Sequence, residues 1–142
     1  MLLFEQLVIG SIMIALTVFI HAMGLEIIIR RAKIVETALQ HLALRLWRPL
    51  MSSIIVVSVF LIHILNMWLW TFVYMGRSCE GLQEFGMALH FSTSMYTTVG
   101  HNSIMPGEAC NMLSGIEGAN GFLLFGWTTA FIFEVISQLY KR

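Results

Sequence analysis

The amino-acid sequence predicts an all-α membrane protein in which three helices span the bilayer and a shorter, re-entrant helix and loop lie between the second and third. Three observations lead to it. Hydrophobic residues make up 58% of the 142 and charged residues only 11%, where a soluble domain carries roughly a quarter charged. Three segments are long and apolar enough to cross a bilayer, which takes about 20 helical residues. Between the second and third lies a stretch too apolar for an ordinary loop and too short for a span.

The first span runs from about Leu7 to Ile29 and stops on Arg30 and Arg31. It is read as retained rather than cleaved: Glu5 stands where a signal peptide is basic, and no small-residue cleavage site follows. The second span, about Leu50 to Tyr74, is opened by Pro49, whose missing N–H is harmless at a helix start. The third runs from about Met112 to Leu139. All three must be helical, because lipid offers free amide groups no partners. In the 30–48 connection, Ile34, Val35, Ala38, Leu39, Leu42, Leu46 and Trp47 recur at helical spacing, with Glu36, Gln40, His41 and Arg45 between them. That pattern predicts an amphipathic helix at the inner interface, or a plain helical link. The chain thus divides into residues 1–48, a first span with its connector, and residues 49–142.

Orientation follows from the basic residues. Arg30, Arg31, Lys33, Arg45 and Arg48 lie between the first two spans, Lys141 and Arg142 end the chain, and only Arg77 lies between the second and third. The positive-inside rule places the 30–48 connection and the C-terminus in the cytoplasm and the N-terminus and residues 75–111 outside. The expected location is a cell membrane, inner or plasma, crossed several times. Net charge is zero at a pI near 7.0, so no nucleic-acid partner is expected. Asp is absent and the Glu residues are scattered, which disfavours metal-carboxylate or phosphoryl-transfer chemistry. No catalytic constellation is visible; the expectation is no enzyme, no small-molecule substrate and no cofactor.

In the external segment, Glu84 to Tyr96 is apolar enough for a half-length helix, and Thr, Gly and Asn follow it. Irregular backbone at membrane depth survives only where protein buries it or it lines water. The run Ala88-Leu89-His90-Phe91-Ser92-Thr93-Ser94-Met95-Tyr96-Thr97-Thr98-Val99-Gly100 resembles the pore helix and filter start of potassium channels. The run from Gly115 to Phe131, with Gly118, Gly121 and Gly126, resembles the inner helix of small prokaryotic members of that family. The resemblance covers about Leu50 to Leu139. It implies a homotetramer around a central pore and passive flow of K+, or of Na+. In such filters, rings of carbonyls replace the ion's hydration water. By motif position, Thr98 supplies its hydroxyl and carbonyl at the inner end, and Val99 and Gly100 supply the next rings, so K+ or Na+ would sit at Thr98, Val99 and Gly100. Gly100 permits the left-handed backbone that such a row needs. The pore helix turns its negative C-terminal end toward the cavity.

The outer filter departs from the family. The usual Gly-Tyr-Gly-Asp is Gly100-His101-Asn102-Ser103 here. His101 replaces a bracing phenol and changes charge across pH 5–8; Asn102 replaces a glycine at a position of positive φ, which Asn tolerates. The expectation is a monovalent cation channel with altered or weakened potassium selectivity. The alternatives are retained potassium selectivity and a non-conducting, channel-like interaction protein.

Other residues attract notice. Cys79 and Cys110 flank the pore loop on the side where disulfides persist, so they either bond and clamp it or remain free thiols. His21, His63 and Asn66 lie within spans, where polar groups face protein. Counted nine residues before Arg30 and fourteen after Pro49, the two histidines differ in depth by roughly 7 Å. That offset favours interhelical hydrogen bonds over a bis-histidine haem. Gly118, Gly121 and Gly126 suit close packing, or a gating hinge at Gly121 or Gly126. Thr128 and Thr129 are expected in the cavity below the filter. Glu117 is expected behind the filter, near Ser94 and Ser103, and Glu134 at the inner mouth, where four copies would attract cations.

Overall fold

The computed structural model describes residues 2–41, 46–77, 79–100, 104 and 106–141. These form four helices: α1 (Leu2–His41), α2 (Trp47–Gly76), α3 (Phe85–Tyr96) and α4 (Asn111–Lys141). α1, α2 and α4 are long and apolar enough to cross a membrane. α3 has 12 residues, about 18 Å of helix, and stops short of a crossing.

The spans and the short helix fall where hydropathy places them, but α1 corrects one expectation. The amphipathic connector is no separate interfacial helix; residues 30–41 continue α1 without a break. No Gly or Pro interrupts the chain from Leu25 to Arg48, and the Arg, Lys, Glu and Ala of this stretch are strong helix formers. Arg30 also pairs with Glu26 at 2.7 Å, one turn back. At 40 residues, α1 is about 60 Å long, twice the hydrocarbon thickness of about 30 Å. Its last turns therefore project beyond the membrane. Their apolar face is spent inside the protein, where Leu39 packs with Met51 and Ile55 of α2 and Leu139 of α4. The rest of the connector, residues 42–45, lies outside the described residues. α2 begins at Trp47, so Pro49 falls in its first turn, among N–H groups that lack intrahelical partners in any case.

α1 packs along both α2 and α4, and α3 wedges between α2 and α4. The main core surrounds that wedge: Trp70 and Tyr74 of α2, Phe91 and Tyr96 of α3, and Leu113 and Leu124 of α4 are fully buried. The start of α1 is tied to the segment that follows α3. Gln6 donates from Nε2 to the Glu108 carbonyl at 3.0 Å and accepts from the Met112 N–H at 2.9 Å, while Glu5 pairs with Arg77 at 3.2 Å.

Candidate functional site

α3 ends at Tyr96, and the chain turns at once into an unusual backbone. Thr97 caps the helix, and the Thr98 N–H donates to the Met95 carbonyl at 2.9 Å. Thr98 has φ +59°, Gly100 has φ +65°, and Val99 between them is not in the positive region. Left-handed residues after a helix are usually Gly or Asn. A β-branched Thr there is an outlier, at a cost of roughly 1–2 kcal/mol. φ thus alternates in sign over Thr98, Val99 and Gly100, the pattern of backbone nests, in which successive peptide groups share an orientation. The Gly100 N–H is held by the Ser94 carbonyl at 3.1 Å. Thr98, Val99 and Gly100 are exposed in the single chain, Val99 by 70% despite its apolar side chain. His101, Asn102 and Ser103 lie outside the described residues.

Behind α3, three side chains from three helices form one hydrogen-bonded cluster. Tyr74 donates to Glu117 Oε2 at 2.6 Å, and Ser92 Oγ lies 2.5 Å from Glu117 Oε1 and 3.0 Å from the Met67 carbonyl. Ser92 has one proton and two acceptors in reach. A carboxyl proton on Glu117, donated to Ser92, completes the count and frees the Ser92 proton for Met67. Glu117 thus meets α3 at Ser92 rather than at Ser94, whose Oγ has no partner among the described residues.

A second polar chain crosses all four helices. The Tyr96 hydroxyl lies 3.0 Å from His63 Nδ1, His63 Nε2 lies 2.9 Å from Thr128 Oγ1, and Thr128 Oγ1 lies 3.0 Å from His21 Nε2. Asn66 donates to Tyr96 at 3.5 Å, and one turn away Asn120 donates to Thr17 at 2.7 Å. With both rings neutral, the single Thr128 proton goes to one imidazole and the other donates back. The tautomer of either histidine then fixes that of the other. Interhelical bonding is what the sequence suggests for these histidines, but the 7 Å depth offset is corrected: their ring centroids are 4.9 Å apart. The offset assumed that the first helix ends near Arg30, whereas it runs on to His41. Both nitrogens of His63 are engaged, Nδ1 with Tyr96 and Nε2 with Thr128, so none is left on that ring for a haem iron.

Thr128 is buried between the two histidines, while Thr129 is exposed and bonds back to the Phe125 carbonyl at 2.9 Å. At Gly121 a Cβ would overlap the backbone carbonyl of Tyr96. Gly126 faces open space, and α4 runs unbroken through both. Glu134 lines a cleft facing α1, with Ile28, Lys33 and Gln138, and accepts from Gln138 at 2.6 Å; it does not share the exposed face of Gly126 and Phe133. Cys79 and Cys110 form a disulfide, Cα atoms 6.0 Å apart, that encloses α3 and the segment after it. Sequence reading missed Tyr74, Ser92 and Tyr96. The four-residue spacing of Ser92 and Tyr96, one stripe of α3, was the available signal.

No curated protein and no solved structure matches the chain. Residues 50–138 match a family described as ion channel, from the start of α2 almost to the end of α4, with the α3 wedge between them. The chain is therefore an integral membrane protein that belongs to the ion channel family of potassium-channel-type, two-helix pore domains.

Proposed function

We propose that this protein conducts monovalent cations passively through a pore shared by four identical chains, with Thr98, Val99 and Gly100 as its filter. The observation that carries this reading is the backbone after α3: φ alternates in sign from Thr98 to Gly100, at the negative end of a short helix. Backbone that alternates in this way can turn successive carbonyls to one side, and a row of carbonyls is what a dehydrated cation needs. One chain supplies a quarter of each ring, so K+ or Na+ would be held at Thr98, Val99 and Gly100 by four copies. His101 and Asn102 replace the usual outer filter, so potassium is preferred less than in a complete one. Residues 30–48 and the C-terminus face the cytoplasm.

The test is flux from purified protein, reconstituted in vesicles at a verified tetrameric mass, under separate K+ and Na+ gradients. The expected result is flux of both ions with K+ ahead. Absence of flux for either ion would overturn the reading in favour of a non-conducting member of the family.

A further inference from the structure

α1 and α2 touch near Gly24 and meet again through Leu39, Met51 and Ile55 toward their basic ends. At Gly24 the contact is close, since a Cβ there would run into the Ile62 side chain. Beyond it opens a cleft of about 390 Å³, walled by Ile27, Ile28 and Val35 of α1 and by Ile54, Ile55 and Leu61 of α2. The 11 steps from Gly24 to Val35 follow roughly 16 Å of helix axis. That is about half of the ~30 Å hydrocarbon core, the depth of one leaflet.

The walls are almost wholly apolar. Ser58 turns its hydroxyl back to the Ile54 carbonyl at 2.7 Å, which leaves Arg31 as the one cationic group on the cleft among the described residues. Arg31 is exposed and has no ion pair or hydrogen bond among the described residues, whereas its neighbour Arg30 is bound by Glu26. The acidic side chains at this end are engaged within their own chain: Glu26 with Arg30, Glu36 with Gln40 and Glu134 with Gln138. Among the described residues no carboxylate of this chain pairs with Arg31. A guanidinium in this setting suits phosphate, which it grips with paired N–H donors.

We propose that the cleft binds one anionic phospholipid of the cytoplasmic leaflet, an acyl chain lying between α1 and α2 and the phosphate on Arg31. The leaflet assignment rests on the orientation given above; the lipid itself does not rest on conduction. Basic clefts between spans on the cytoplasmic side select anionic headgroups in this way.

The full chain, released from micelles of equimolar phosphatidylglycerol and phosphatidylcholine into a native mass spectrometer, tests it without any flux measurement. Wild type should keep one phosphatidylglycerol per chain in preference to phosphatidylcholine. Arg31→Gln should lower that preference about tenfold, as loss of one charge-assisted contact does, and Arg31→Lys should keep part of it. Ser58→Trp, which fills the cleft, should release both lipids. A photo-crosslinker at Ile54 should add the mass of phosphatidylglycerol. Equal retention of the two lipids, an unchanged Arg31→Gln or Ser58→Trp, or a crosslink to a second copy would overturn the proposal.

Discussion

At the α3 end, α1 reaches the rest of the chain through hydrogen bonds at Gln6, Thr17 and His21, and the Cys79–Cys110 bond closes the segment between α2 and α4. At the basic end the same helices meet through Leu39, Met51, Ile55 and Leu139, around open clefts, with Arg48 over the Tyr140 ring as the polar exception. In lipid this contrast matters more than in water. Apolar side chains gain nothing by leaving one hydrocarbon environment for another, so helices there associate through close packing and polar contacts. The α3 end is thus built to hold one geometry. The basic end holds its helices by apolar contacts around open clefts.

The comparison can be broken in several ways. Replacing Cys79 and Cys110 by Ser should cost the most, about 4 kcal/mol by loop closure over a separation of 31 residues, read as a lower melting temperature in detergent. Gly121→Ala should follow at about 3 kcal/mol, because the Tyr96 backbone must move, and cation flux should fall with it. Gly126→Ala, in open space, should stay within about 0.5 kcal/mol. Glu117→Ala leaves Tyr74 without its acceptor and Ser92 without its donor and should cost about 2 kcal/mol. Glu117→Gln, which can still donate to Ser92 and accept from Tyr74, should melt close to wild type. A large loss in the Gln variant would show that Glu117 is ionised. Leu39→Ala, in the turns of α1 that project beyond the membrane, should cost about 2 kcal/mol, because water surrounds that end and the contacts with Met51, Ile55 and Leu139 are hydrophobic burial there. Thr128→Val cuts the link between the histidines; with interhelical hydrogen bonds worth about 0.6 kcal/mol each on average in membranes, it should cost about 1 kcal/mol.

Hydropathy made most of this architecture legible. The three long helices and α3 depend on length and apolar content, which one sequence displays. The inner part of the filter segment was legible as a motif, with Gly100 in the left-handed region as its residue type implies. The left-handed Thr98 was not, since nothing about a β-branched residue announces that conformation. The partners of Thr128, His21 and His63 were hidden for a different reason. Depth was reckoned from Arg30, and a charged cluster marks a membrane boundary without ending a helix. Gly121 was legible as a small residue in a span, but whether it bends or makes room depends on the Tyr96 carbonyl, which only three dimensions bring near.

The hydrogen bonds of α1 bear on how far the family unit can be moved. That unit begins at residue 50, yet Asn120, Thr128 and the Met112 amide bond to Thr17, His21 and Gln6, which precede it. A graft of residues 50–138 onto another scaffold would leave Asn120 and the Met112 amide without these partners and Thr128 with His63 alone. The first helix is thus no detachable prefix to a portable module: it completes the bonding of the unit it precedes.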